Sequence, residues 1–314
     1  MAEGQPLDGT AYAGRPSMCR QCGALVGAGE SDCMMCGAPS TAGREAEEPA
    51  PRRRPRPRYD QETLRFLSAI VSRPATFTFI FLIANVFLYT LMALSGGAEG
   101  GVLVAYGAKL NHLIDAGQWW RFVTAIFLHV RIPAFGPLHL LFNMYGLFML
   151  GPYVEKLYGS AKFVVFWVLT GVAGVFVSYL TYQPDLAHGF LGQYLFKMND
   201  APAAGASVSL FGLVGILFVF GIRFRGELPA GFRRAFGTGM LPMIVFNLFI
   251  GYMARDFIDN SAHLGGFAAG ALLALFVGYK RPGERGPVAY VWHVLQAASL
   301  ALVVACFTLA ALSS

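Results

Sequence analysis

The sequence predicts an all-α membrane protein of several spans, preceded by a small cysteine-bearing domain. Three observations carry that reading. Of the 314 residues, 55% are hydrophobic and only 13% charged, roughly half the charged share of about 25% that soluble domains carry. The apolar residues fall in long runs, as membrane spans require. Four of the five cysteines and the densest Pro/Arg run instead lie ahead of the first apolar run.

Four zones follow in order. Residues 15–40 form the cysteine domain, 41–73 a Pro/Arg-rich linker, 74–280 a six-span core and 281–314 a seventh span. The linker is expected to be disordered or extended, because Pro removes backbone donors and like charges repel. A hydrocarbon core of about 30 Å needs roughly 20 helical residues. Apolar runs of that length fall near 75–95, 138–157, 161–182, 203–222, 236–254, 260–279 and 288–311. Gly and Pro inside them are tolerated where neighbouring helices satisfy the freed backbone groups.

The net charge of +6 is distributed as topology demands rather than as nucleic-acid binding does. "PRRRPRPR" (51–58) directly precedes the first span and suits an anionic lipid surface. No apolar signal segment occurs in the first 60 residues, so the amino terminus is expected to stay inside. Inner loops then hold the linker arginines, Lys156, Lys162, Arg223, Arg225, Arg233, Arg234, Lys280, Arg281 and Arg285. Outer segments hold only Lys109, Arg121, Arg131, Lys197 and Arg255, and the carboxyl terminus falls outside. The stretch 96–137, with "QWWRFVTAIFLHV", is too long and too apolar for a bare loop. Short interfacial helices are expected there, with Trp119, Trp120 and Arg121 at headgroup level.

"CRQCGALVGAGESDCMMCG" gives Cys19-x2-Cys22, ten residues, then Cys33-x2-Cys36. Two such knuckles supply the four thiolates of one tetrahedral, structural Zn²⁺ in a minimal ribbon. The glycine after each pair allows a tight turn that aims N–H groups at sulfur. A disulfide or redox pair is the alternative, and an inside amino terminus speaks against it. So small a unit buries too little to fold without metal. It shows no reactive group, so binding an unknown protein partner is its expected role. Cys306, in the last span, reads as a packing residue.

Polar groups inside spans are costly and point to function. His139 and Asn143 lie four apart on one helix face, His263 heads a face continued by Gly266 and Gly270, and Ser207 heads one continued by Phe211. Taken alone, the His139/Asn143 pair and Ser207 read as helix packing, and a lone His263 could simply cap or clamp. Their depths change that. Ser207 is about four residues into its span and His263 about three, both roughly 5 Å below the outer boundary. Ser207 Oγ is then a candidate nucleophile and His263 its base. His139, Asn143 and the Ser207 N–H are candidate oxyanion donors, with Phe211 stacked on the His263 ring. Asp259 reads as an exposed loop residue, leaving a dyad that needs no cofactor.

These motifs resemble the rhomboid family of intramembrane serine proteases. "WR" (120–121), "HLLFNM" (139–144), "GAS…F" (205–211), "AHLGGFAAG" (262–270) and Glu155 followed by "LYG" match it in order and spacing over about residues 74–280. The resemblance implies a six-helix core in which Ser207 and His263 form the dyad, His139 and Asn143 hold the oxyanion, and Phe211, Gly205, Gly266 and Gly270 support them. It implies single-pass transmembrane protein substrates, entering from the lipid bilayer and cut near the outer face. The seventh span resembles an extra carboxyl-terminal helix of some members, and the ribbon lies outside the shared core. A prokaryotic plasma membrane is the expected location.

Two departures stand out. Val208 follows the serine where the family usually has Gly, and "HVRIPAFGPLH" lengthens the link into the second span, leaving His129 as an interfacial residue. The rival readings are an inactive relative that binds transmembrane clients, and a transporter or channel. Inactive relatives lack the Ser or the His; a transporter calls for midplane charges or repeats.

Overall fold

The computed structural model describes residues 16–28, 30–39, 68, 72–132, 136–188, 196, 198–226, 228, 232, 235–255, 257–279 and 287–313. The chain divides into two compact units, Met1–Arg58 and Tyr59–Ser314.

In the first unit, β1 (Ser17–Met18) and β2 (Leu25–Val26) pair antiparallel, Met18 opposite Leu25. The two cysteine pairs form near-identical turns. Cys19 N–H donates to Ala24 O (2.7 Å) and Gly23 N–H to Cys19 O (2.9 Å); Cys33 N–H donates to Ala38 O and Gly37 N–H to Cys33 O, both 2.8 Å. Gly23 and Gly37 sit at φ +75° and +71°, left-handed values that a side chain disfavours. Both turns therefore need the glycine that follows each pair.

The second unit holds ten α-helices among the described residues. They are α1 (Thr76–Leu94), α2 (Gly100–Ala105), α3 (Asn111–Asp115), α4 (Arg121–Thr124), α5 (Leu138–Tyr158), α6 (Ser160–Leu180), α7 (Ser207–Arg223), α8 (Leu241–Met253), α9 (Asn260–Phe276) and α10 (Pro287–Ser313). Seven occupy the seven apolar runs, and α2 to α4 fill the stretch between the first two. By length and apolarity alone, α1, α6 and α10 are long enough to cross a membrane. The others deviate for local reasons. Helices α7 and α9 have 17 residues each, about 25 Å at 1.5 Å per residue. The fifth run begins as a 3-10 turn, Gly237–Met240, before α8.

Helix α7 forms the buried centre, packed by α5, α6 and α9. Helices α7 and α9 touch backbone to backbone. A Cβ on Gly270 would strike Gly212 O, one on Gly266 would strike Val208 O, and one on Gly215 would strike Phe267 O. Small residues thus let the two helices bearing Ser207 and His263 approach closely.

Glu155, at the foot of α5, is buried and fully engaged. Its carboxylate accepts from Phe77 N (2.9 Å), Thr78 N and Thr78 Oγ1 (both 2.7 Å) and Ser160 Oγ (2.7 Å). It thereby satisfies the free N–H groups and positive dipole end of α1. Basic residues at the same end cap carbonyls: Arg73 Nη1 reaches Lys156 O (2.9 Å), Arg223 Nη1 Ala274 O (2.8 Å) and Lys162 Nζ Gly278 O (2.8 Å). Helix α10 rests on the core through Trp292 against Phe166, Phe307 against Phe127, and a buried Cys306.

Arg121 departs from the headgroup position expected for it. It is buried, and its guanidinium turns inward to Val104 O (2.9 Å), Ala108 O (2.7 Å) and Gln118 Oε1 (2.8 Å). The turns that end α2 leave carbonyls without helical partners, and a five-donor fork is the side chain that can collect them. Trp119 does remain exposed.

Candidate active site

The segment before α7 is positioned by loop contacts rather than by its own helix. Lys109 N–H donates to Ala203 O (2.9 Å), Ala203 N–H to Lys109 O (3.0 Å), and Gly205 N–H to Ala125 O (3.0 Å). Residues 203–206 are consequently not helical, and Ser207 is the first residue of α7 rather than a turn inside a span. Gly205 leaves room for its neighbours: a Cβ there would lie 3.0 Å from His139 Cε1 and Nε2 and 3.4 Å from Ser207 Oγ.

His263, on the first turns of α9, brings Nε2 to 2.8 Å from Ser207 Oγ. The Phe211 ring, one turn along α7, stacks on the imidazole with centroids 4.3 Å apart and planes 8° from parallel. A hydroxyl and an imidazole at that distance can exchange a proton.

Asp259 is not an exposed loop residue. It is the N-cap of α9, half-buried, and its carboxylate accepts from Ala262 N (3.1 Å), Ser261 Oγ (2.5 Å) and Ser178 Oγ of α6. An aspartate at this position satisfies helix N–H groups that have no partner within the helix.

His139 and Asn143 lie on α5, and His139 is the one that meets Gly205. Asn143 is buried and donates through Nδ2 to His139 O (2.7 Å), which leaves the second Nδ2 hydrogen available. Reading the sequence alone missed His129. It is fully buried rather than interfacial, its ring 5.3 Å from that of His139, and its Nε2 accepts from Ala206 N–H at 3.4 Å. Burial, and next the nearby His139, hold its pKa well below the ordinary value. The ring is therefore a neutral acceptor that fixes the backbone next to Ser207. The available signal was the wholly apolar context "AIFLHV", which leaves no polar face for an exposed imidazole.

Val208 is accommodated away from the serine hydroxyl. Its Cγ1 occupies the space where Gly174 of α6 would carry a Cβ, and it lies 3.4 Å from a Cβ placed on Gly266. The bulk added beside Ser207 is absorbed by a glycine on the neighbouring helix.

In the amino-terminal unit, the Sγ atoms of Cys19, Cys22, Cys33 and Cys36 all lie within 4.8 Å of one another. Cys19 and Cys36 are 3.7 Å apart, Cys22 and Cys33 3.6 Å. Tetrahedral thiolates at a Zn–S distance of 2.3 Å sit about 3.8 Å apart, so the four fit that ion. The N–H groups of Cys22 and Gln21 point at Cys19 sulfur and lower its pKa to about 6.

A comparison with protein families matches the Rhomboid domain to residues 116–280. Among curated proteins, the chain is 34% identical over 212 residues to Rhomboid protease GluP of Bacillus subtilis, covering 67% of this chain and 36% of that protein. It is 33% identical over 182 residues to RHOMBOID-like protein 5 of Arabidopsis thaliana, covering 56% and 49%. It is 26% identical over 208 residues to Rhomboid protease AarA of Providencia stuartii, covering 64% and 71%. The chain thus spans about a third of the length of GluP and about half that of the Arabidopsis protein.

Proposed function

This chain belongs to the rhomboid family, and from that premise we propose that it is an intramembrane serine endopeptidase acting on single-pass transmembrane proteins. The observation that carries the reading is the 2.8 Å approach of His263 Nε2 to Ser207 Oγ under a stacked Phe211. Ser207 Oγ attacks the scissile carbonyl while His263 Nε2 takes its proton. The oxyanion that forms is held by His139, the second Asn143 Nδ2 hydrogen and the Ser207 N–H. Collapse breaks the C–N bond, and His263 returns the proton to the leaving amine. Water, activated by the same imidazole, then releases the acyl group from Ser207. Ser and His suffice for this chemistry, and no cofactor enters it.

The site sits at the amino ends of α7 and α9, so cleavage falls near one membrane face. The cationic caps at the opposite ends, Arg73, Lys162 and Arg223, support an inside position for those ends and an outside one for the site. An inside amino terminus and an outside carboxyl terminus follow, and the reduced cysteine cluster suits a prokaryotic plasma membrane. Phe246 and Phe249 of α8 are exposed, which suits a lipid-side entry route for substrate. Cys19, Cys22, Cys33 and Cys36 hold one structural Zn²⁺, which supplies folding energy to the ribbon, and the ribbon binds a protein partner.

The test is cleavage of a single-pass transmembrane substrate in detergent by wild type, Ser207→Ala and His263→Ala, together with fluorophosphonate labelling. Cleavage and labelling by wild type, with both lost in each variant, are expected. Cleavage that survives Ser207→Ala overturns the mechanism.

A further inference from the structure

Ser178 lies on the last turn of α6 and Thr181 just past its end, Asp259 and Ser261 stand at the start of α9, and the four close a polar cluster. Ser178, fully buried, donates to the Asp259 carboxylate, Ser261 Oγ donates to it at 2.5 Å, and Thr181 Oγ1 lies 2.9 Å from Ser261 Oγ. The same carboxylate caps Ala262 N at 3.1 Å. Directly beneath, α6 and α9 meet at backbone distance: a Cβ on Gly265 would lie 3.0 Å from Gly174 Cα, and one on Gly174 would be 2.9 Å from Gly266 N. The rotation and height of α9 against α6 are therefore set at this point. His263 is the next residue after the capped Ala262, and its own N–H donates to Asp259 O (3.1 Å).

Position alone leaves a problem for a base at this place. His263 lies in the first turns of α9, where the helix dipole presents about half a positive charge. That charge disfavours the imidazolium formed when the imidazole takes the serine proton. A carboxylate at the N-cap, about one 5.4 Å turn away, opposes it.

Building on the serine-protease reading, we propose that Asp259 is a positioning residue for His263. It pins the head of α9 to α6 through Ser178 and offsets the helix dipole when His263 is protonated. Its carboxylate accepts from Ser178, Ser261 and Ala262, which assigns it a positional role rather than that of a third triad member.

The two contributions separate by substitution. Asp259→Asn keeps the oxygen that accepts from Ala262 N–H and Ser261 Oγ, turns an NH2 toward Ser178 Oγ, which then accepts instead of donating, and removes the charge; Asp259→Glu keeps the charge; Asp259→Ala removes both. Each is measured in the full chain for kcat and KM on a transmembrane substrate, for the rate of fluorophosphonate labelling and for thermal midpoint. Asp259→Asn is expected to lower kcat and the labelling rate about 5- to 30-fold, with KM and midpoint near wild type. Asp259→Glu is expected to recover part of the rate. Wild-type kcat in Asp259→Asn overturns the proposal. So does a loss of rate that tracks a fall in thermal midpoint through all three variants, since capping alone would do that. A wild type that neither cleaves nor labels overturns the protease reading itself, whatever the Asp259 variants do.

Discussion

Val208 shows how a local departure is settled by a distant partner. Gly174, 34 positions earlier, leaves the space its Cγ1 fills. Val208→Gly is expected to lose about 2–4 kcal/mol, from the cavity and the poorer helix former together, while Ser207 still labels. Gly174→Val is expected to abolish labelling by forcing α6 away from α7 and α9; thermal melts and labelling in detergent check both. Asp200 gives a pH test on the loop that leads into Ser207. It accepts from Asn111 N (2.8 Å), His112 N (2.9 Å) and His112 Nδ1 (2.8 Å). Burial opposes its charge, but those hydrogen bonds and the Lys109 charge hold its pKa below the ordinary 3.8. A depressed carboxylate pKa stabilises the fold above the unfolded value and loses that contribution as pH falls through the folded one. The stability gap between wild type and Asp200→Asn is therefore expected to be full above about pH 4 and to close in stronger acid. Thermal midpoints measured across that range check it.

At the level of elements, helix ends and helix crossings carry the design. One carboxylate, Glu155, answers two N–H groups and two hydroxyls at the junction of α1, α5 and α6. Glu155→Ala leaves them buried without an acceptor and is expected to cost about 3 kcal/mol or more. Glu155→Gln, which keeps one acceptor oxygen, is expected to fall between. Thermal melts of both against wild type measure it. At the α7–α9 crossing, Gly270 faces Gly212 O and has no space for a side chain. Gly270→Val is expected to separate the Ser207 and His263 helices, so that labelling of Ser207 is lost even where the protein still purifies.

Across the whole molecule, the two units rest on different physics. The membrane unit buries aromatic and aliphatic side chains around α7, whereas residues 16–39 have two short strands and few buried apolar side chains, Val26 and Cys33 among them. Met18, Leu25, Met34 and Met35 are all exposed there. Folding of that unit is expected to depend on its metal. Purified full chain is expected to carry about one zinc, the capacity of one four-thiolate site. Strong chelation is expected to make residues 16–39 protease-sensitive without shifting the thermal midpoint of the membrane unit. Elemental analysis and limited proteolysis check both statements.

Much of this was legible in the residues themselves. Hydrophobic run length located a helix in each of the seven apolar runs, three of them long and apolar enough to cross a membrane, and the i, i+4 period put Phe211 beneath Ser207 and Asn143 beside His139. Repeated Cys-x2-Cys-Gly defined the two turns of the ribbon, because knuckle geometry depends on a few adjacent residues. What the sequence left open required contacts between distant segments. His129 reaches Ala206 across 77 positions, Ser178 reaches Asp259 across 81, and Lys109 pairs with Ala203. Periodicity reports which face of a helix is apolar. It cannot report which neighbour that face meets, nor where a helix starts when another segment holds its approach extended. The chain by itself determined which side chains are available near the heads of these helices; the packing of α6, α7 and α9, set by where side chains are absent, decided which of them touch.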